Sequence, residues 1–161
     1  MQLRHLQESD YPVIISVLND WWGGRPMSDM LPRLFFRHFE DTSFIVEEED
    51  RLVGFLVGFI SPSHRQEAYI HFVGVHPDYR AQGVARRLYQ QFEERVLKQF
   101  EPVTIRCVTS PVNKSSIAFH QKVGFTIIPG SVVQEGISIH PDYDGQGQDR
   151  VVFQKTISCI E

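Results

Sequence analysis

The apolar positions of this chain change period several times, and each change marks an element. Gln2 to Leu6 reads as a short first strand. Ile14, Val17, Leu18 and Trp21 then recur at i, i+3, i+4 and i+7, the stripe of an amphipathic helix. Ser9 or Asp10 is placed to cap it, Pro12 suits its first turn, and Gly23-Gly24 closes it. A loop through Gly24-Arg25-Pro26-Met27 leads to a second cap at Ser28. Leu31, Leu34, Phe35 and Phe39 make the apolar face of a second short helix, with Pro32 in its opening turn. Ser43 to Glu48 and Arg51 to Ile60 form a hairpin turning at Glu49-Asp50, antiparallel by necessity.

Ala68 to Lys98 is the stretch around which the rest is organised. It opens as a strand, Ala68 to Val75, breaks at His76-Pro77-Asp78-Tyr79, and turns through Arg80-Ala81-Gln82-Gly83-Val84-Ala85. A helix follows, with Val84, Leu88, Phe92 and Val96 at i+4 spacing. Val103 to Thr109 alternates as a strand, and Asn113 caps a helix running to about Val123, stopped by Gly124. Phe125 to Ile128 and Val151 to Ile157 complete the strands, and Val132 to Ile139 is a weakly marked further piece. The order β-α-α-β-β-β-α-β-α-β-β describes a mixed α/β sheet, and the βαβ unit from Ile70 to Val108 pairs its strands in parallel.

A strand, a small-residue turn and a helix N-terminus in that order make a seat for an anion. The first helical turn leaves N–H groups unpartnered at the positive end of the helix dipole. Gly83 permits close backbone approach, Ala81 and Ala85 keep the surroundings low, and Arg80, Arg86 and Arg87 add positive charge. The turn is neither a P-loop nor G-x-G-x-x-G.

Composition narrows the class. At 161 residues with 42% apolar and 22% charged side chains, the chain is expected to be one globular domain, residues 1–161. A net charge of −4 without a basic stripe argues against nucleic acid. The longest apolar run, Leu52 to Ile60, is too short to span a bilayer. Two cysteines, Cys107 and Cys159, make neither a disulfide framework nor a metal site. With no signal-peptide pattern at Leu3 to Asp10, a soluble cytoplasmic protein is expected.

The turn reads R-x-x-G-x-A after a strand ending V-x-P-x-Y, and in that setting it resembles the pyrophosphate loop of the GNAT N-acetyltransferase superfamily. A second stretch, from Asn113 through Ala118, Phe119 and His120 to Gly124-Phe125, is similar to that family's N-x-x-A-x-x-x-Y-x-x-x-G-F motif. The element order agrees over nearly the whole chain. The resemblance implies a mostly antiparallel sheet with a central parallel pair, flanked by helices on both faces. It implies acetyl transfer from acetyl-CoA, without a metal, to a primary amine of a small molecule or protein by direct attack in a ternary complex. A homodimer is compatible with it.

The same resemblance assigns the diphosphate to Arg80, Ala81, Gln82, Gly83, Val84 and Ala85, and pantetheine to the edge Phe72, Val73, Gly74 and Val75. There the N–H of Val73 or Gly74 would meet the acetyl oxygen. Asn113, Ser116 and Phe119 fall on the cofactor side of the second motif. For the general base, alternation places Glu67, Tyr69, His71, Val73 and Val75 on one strand face, which makes Glu67 and His71 candidates beside a water chain. His120 stands where the family has a tyrosine that protonates the leaving thiolate, and is read either as its replacement or as a residue without a chemical role. Trp21, Trp22 and Arg25 fall in the loop over the acceptor cleft.

His140-Pro-Asp-Tyr-Asp-Gly-Gln-Gly repeats six of the eight residues of His76-Pro-Asp-Tyr-Arg-Ala-Gln-Gly. It reads as shared turn chemistry, or as a loop presenting Asp142, Tyr143 and Asp144 to the acceptor. Two other functions remain open: a coenzyme A-binding module with weak or lost catalysis, and transfer of a different acyl group.

Overall fold

The computed structural model describes residues 1–159. A seven-stranded sheet runs in the order β1–β2–β3–β4–β5–β9–β6, and every adjacent pair is antiparallel except β4–β5. The strands are β1 (Gln2–His5), β2 (Phe44–Glu48), β3 (Arg51–Ile60), β4 (Glu67–Val75), β5 (Val103–Thr109), β6 (Thr126–Ile127) and β9 (Val151–Ile157). The weakly marked piece is a separate hairpin of β7 (Val132–Gln134) and β8 (Ile137–Ile139).

Helices cover both faces. On one lie α1 (Tyr11–Trp21) and α2 (Leu34–His38), which bury Ile14, Leu18, Trp21 and Phe36 against Phe55, Val57 and Phe72. On the other lies α3 (Val84–Leu97), with α4 (Lys114–Lys122) beside it; Val84, Leu88, Tyr89, Phe92 and Val96 pack there on Leu56, Ile70 and Ile105. Alpha-3 sits very close to β3: a Cβ on Gly58 would lie 2.4 Å from Phe92 Cε1.

Two local expectations change. Asp10 occupies the N-cap position of α1 without capping it, because its carboxylate is taken by the Arg4 guanidinium (2.9 and 3.0 Å) and the Gln7 N–H. The second helix does not start at Ser28. A 3-10 turn spans Ser28–Met30, and α2 begins only at Leu34, after Pro32. Its buried residue is Phe36, while Leu34 is half exposed.

The register of β3 on β4 shifts between Val57 and Gly58: Val57 pairs with Phe72, but Gly58 pairs with Ile70. His71 is therefore an extra residue, a β-bulge, and such a residue bends the strand and raises its twist. Ala68 and Ile70 before the bulge, and Val73 and Val75 after it, pack toward α3, whereas Phe72 packs toward α1. The expected single face of Glu67, Tyr69, His71, Val73 and Val75 is thus broken. The bulge turns the last two to the opposite side.

Candidate active site

The bulge coincides with the parting of the parallel strands. Beta-4 and β5 pair only at Glu67–Thr104, Ala68–Ile105 and Tyr69–Arg106. Beyond that β5 stays with β9 up to Thr109, while β4 leaves with β3. A cleft of about 960 Å³ opens between them.

Backbone groups on β4 face that opening by necessity. The His76 N–H donates to the Val53 carbonyl at 2.8 Å, so His76–Val53, and by alternation Gly74–Phe55 and Phe72–Val57, are the hydrogen-bonded pairs of the β3–β4 ladder. Val73 and Val75 then turn their N–H and C=O toward the gap. The Val75 carbonyl accepts from Arg80 Nε at 3.3 Å, in agreement with that orientation. Of the two amides considered, Val73 faces the gap and Gly74 faces β3. Gly74 has a packing reason instead, since a Cβ there would meet Phe55 at 2.6 Å and Trp22 at 3.0 Å.

The strand leads into the small-residue turn before α3. His76 and a 3-10 turn, Pro77–Tyr79, are followed by Ala81 and Gly83 in the left-handed region, at φ 62° and 80°. Gly83 is the N-cap of α3, and the space where its side chain would stand is open. Ala81, Gln82 and Gly83 are exposed, and Val84 and Ala85 begin the helix. Arg80 is turned away from this loop. Its Nη2 donates to the Trp21 carbonyl at 2.5 Å and its Nε to Val75, so it ties the end of α1 to the end of β4.

The loop after α1 forms one wall. Asn19 Oδ1 accepts the N–H groups of Met27 (2.8 Å) and Ser28 (3.1 Å) and holds the loop in place. Trp22 lines the cleft, its ring 4.9 Å from that of Phe72. Arg25 also lines it, and among the described residues no carboxylate pairs with its guanidinium. Trp21 lies outside the cleft; it is buried on Phe55 and meets His76 edge-on.

His71 faces the same wall. Its ring stacks on Phe35 at 4.1 Å, and its Nε2 lies 2.7 Å from the Met30 carbonyl. A carbonyl only accepts, so Nε2 carries the hydrogen and Nδ1 holds the free lone pair. Burial pushes the imidazole pKa down, partly opposed by the Met30 hydrogen bond. Glu67 is elsewhere. It sits where β4 and β5 are still paired, 4.0 Å from Arg106, four residues or about 13 Å of strand from His71.

On the β5 side, Asn113 caps α4 by accepting from the Ser116 N–H at 3.2 Å, and both residues line the cleft. Phe119 packs edge-on against Tyr89. His120 is buried and stacked on Phe153. Its Nδ1 donates to the Ser116 carbonyl at 2.7 Å, and its Nε2 accepts from the Tyr89 hydroxyl at 2.7 Å. Both rings line the cleft. Burial lowers the imidazole pKa and raises that of the phenol. The sequence places Tyr89 alongside the i+4 stripe of α3 and assigns it no role. The available signal is chemical: a phenol on a buried stripe requires a hydrogen-bond partner.

The echo segment closes the far rim as a self-bonded loop. Asp149 accepts the Asp142 N–H at 2.9 Å, and Asp142 accepts the Gly147 N–H at 2.7 Å. Asp144 lines the cleft, but Arg150 pairs with it at 2.8 Å. Tyr143 is exposed, packs on His140 and is not among the residues that line the cleft. The repeated octapeptide therefore shares turn residues with the first copy and not its setting at a helix N-terminus. Among the described residues, no group of three His, Cys, Asp or Glu converges to hold a metal ion. No helix there is long and apolar enough to cross a membrane.

A model of the acetyltransferase (GNAT) family matches residues 1–125. The L-2,4-diaminobutyric acid acetyltransferase of Halalkalibacterium halodurans is 31% identical over 86 residues, 53% of this chain and 45% of that protein. The chain thus matches about half the length of that relative. An acetyltransferase of Pectobacterium atrosepticum is 25% identical over 134 residues, 80% of this chain and 89% of its own. Among solved structures, Ard1 from Thermoplasma volcanium superposes with a TM-score of 0.76 at 20% identity, covering 97% of both chains. The diaminobutyrate acetyltransferase EctA of Paenibacillus lautus, solved with its substrate and coenzyme A, gives 0.65 at 20% identity over 95% of this chain and 92% of its own. At these identities the structural likeness is one of fold.

Proposed function

The chain belongs to the acetyltransferase (GNAT) family, and from that premise we propose that it transfers the acetyl group of acetyl-CoA to a primary amine by direct attack in a ternary complex. One observation carries the reading: the strand that parts from its parallel neighbour, with the Val73 amide turned into the gap, runs straight into a left-handed glycine at the head of α3. Those features suit one elongated ligand with a carbonyl at one end and a diphosphate at the other.

The residues present fit acetyl-CoA as substrate. The N–H groups from Gln82 to Ala85, at the first turn of α3, take the diphosphate. Pantetheine lies along Phe72 to Val75, opposite Asn113 and Ser116. The Val73 N–H donates to the acetyl oxygen, which gains charge as the amine adds. Holding thioester and amine together supplies much of the rate.

His71 is our general base. Neutral in its buried site, with Nδ1 free, it takes a proton from the incoming ammonium and delivers the amine in its nucleophilic form. Trp22 and Arg25 form the acceptor wall. An unpaired guanidinium suits a carboxylate, so an amino acid bearing a second amine is a sensible first acceptor. A diaminobutyrate substrate is named for two of the similar proteins above. Use of acetyl-CoA accords with a cytoplasmic setting.

The test is thiol release from acetyl-CoA with a panel of amines: L-2,4-diaminobutyrate, a polyamine, an aminoglycoside and a peptide with a free N-terminus. Turnover on any of them supports the reading. Coenzyme A binding with no turnover on all four would favour a binding module instead, in line with His120 having both nitrogens engaged inside the protein.

A further inference from the structure

The Tyr89–His120 pair is polar, enclosed and borders the cleft, and acetyl transfer as proposed leaves it unused. Tyr89 and His120 are only 4% and 7% exposed, in a box of aromatic rings made by Phe119, Phe125 and Phe153. Burying two hydrogen-bonding side chains there is costly unless each is satisfied, and both are. The arrangement is also directional. The Ser116 carbonyl fixes the hydrogen on Nδ1, so Nε2 must accept, and the phenol must point its hydrogen at His120. The oxygen of Tyr89 is left with lone pairs while its ring lines the floor of the parted strands.

Acetyl transfer needs a proton moved. When the neutral amine adds to the thioester carbonyl, its nitrogen becomes positive and carries one hydrogen too many. When the C–S bond breaks, sulfur leaves with the electron pair and needs one. Nitrogen and sulfur are bonded to the same carbon in the tetrahedral adduct, so one hydroxyl beside that carbon can serve both.

We infer that Tyr89 and His120 form a proton shuttle that carries this hydrogen from the attacking nitrogen to the leaving sulfur. The nitrogen gives its proton to the Tyr89 oxygen as the Tyr89 hydrogen passes to His120 Nε2. The imidazolium so formed keeps both its N–H groups bonded, to Ser116 and to Tyr89. As the C–S bond breaks, the hydrogen returns from Nε2 to the tyrosine oxygen and the tyrosine's own hydrogen passes to sulfur. Nitrogen has lost one proton, sulfur has gained one, and the pair is restored. Tyr89 is the catalytic residue; His120 acts through it as the positioning residue and proton store. The histidine at the second motif's tyrosine position is then not a missing acid. Its phenol is supplied from α3.

The inference rests on the acetyl-CoA reading and is separable from it. Tyr69 and the Asp144–Arg150 ion pair border the same cleft. Cys107 on β5 is buried with its thiol pushed up, hence neutral. Lys155 on β9 lies beyond Phe125 and is paired with Glu93 of α3 at 2.7 Å. His71 faces the cleft from the α1 side.

The experiment uses Tyr89→Phe, His120→Gln and the double variant, each first checked for coenzyme A affinity by calorimetry. The glutamine side chain still accepts from the phenol but cannot store a proton. Loss of kcat by about 100-fold is expected for each single variant, with unchanged coenzyme A affinity and no further loss in the double. The fall of kcat on the acid side should involve two protons in the wild type and one in His120→Gln. A merely structural pair would lower the melting temperature and leave the pH profile alone. If no amine turns over, the titration of the bound coenzyme A thiol, followed by thiolate absorbance, gives a separate reading: its pKa should be lower in the wild type than in either variant. Unchanged kcat in Tyr89→Phe, or identical thiol titrations, overturns the shuttle. Failure of the wild type to bind coenzyme A overturns the acetyl-CoA reading itself.

Discussion

Gly83→Glu separates the proposed anion seat from the rest of the fold. Beyond its chain neighbours and the helix's own backbone, no described atom lies within 4 Å of where its Cβ would stand, so the new side chain starts in open space. The φ of 80° costs about 1–2 kcal/mol for a residue with a Cβ. A carboxylate at the head of α3 returns about 0.3–1 kcal/mol through the helix dipole, so the variant stays folded. Coenzyme A binding should suffer far more. At a separation of about 5 Å, with an effective dielectric constant of about 40–80, each pair of like charges costs about 0.8–1.7 kcal/mol. A doubly charged diphosphate therefore loses about 2–3 kcal/mol, roughly 30- to 150-fold in Kd.

Calorimetry with coenzyme A measures that loss, and thermal unfolding checks the fold. Gly83→Ala carries the same backbone strain without the charge and should lose much less affinity. S-acetylpantetheine, which has no diphosphate, should be indifferent to the carboxylate. A folded Gly83→Glu protein with wild-type affinity for coenzyme A would refute the placement of the diphosphate. An equal loss for S-acetylpantetheine would show that the damage is not electrostatic.

Other outcomes follow from the same geometry. Ala81→Gly should raise the melting temperature: relief of the strain at φ 62° is about 1–2 kcal/mol, against about 0.4–1 kcal/mol of added chain entropy in the unfolded state. Asn19→Ala removes the acceptor that holds Met27 and Ser28, worth about 1 kcal/mol per hydrogen bond; the acceptor KM should rise while coenzyme A affinity holds, read by steady-state kinetics and calorimetry. His71 and His120 both have folded pKa values below the ordinary value of about 6.5, so the unfolded chain binds more protons beneath that pH. Their contribution to stability is complete above about pH 6.5 and declines as the pH falls toward the folded values; a melting series from pH 7 to 5 should be shallower for His120→Gln than for the wild type.

What can be read from the residues, and what cannot, divides along a physical line. The i+4 stripe from Val84 to Val96 and the alternation in Val103 to Cys107 are local patterns set by the periods of helix and strand. They suffice for those elements and for their mixed-sheet order. Asn113 as a cap and Gly83 at a helix entrance follow from single-residue backbone preferences, which the tertiary structure leaves intact. The apolar stripe starts the second helix too early because Pro32 and a 3-10 turn at Ser28–Met30 outweigh a pattern only a few residues long.

The cleft itself has no local signature. Residues Glu67 to Val75 alternate between partly and fully buried through the bulge without a break, so nothing along the strand announces that His71 is unpaired. That extra residue is set by register against β3. Pairing Tyr89 with His120 likewise joins positions 31 apart that meet only because α3 and α4 pack on one sheet face. The chain by itself determined the small-residue turn at the head of α3, because a helix N-terminus and a left-handed glycine are properties of a few consecutive residues. Tertiary structure decided which backbone amide faces the gap, which histidine keeps a free nitrogen and which phenol stands beside the other, because hydrogen-bond direction depends on groups brought together from distant strands and helices.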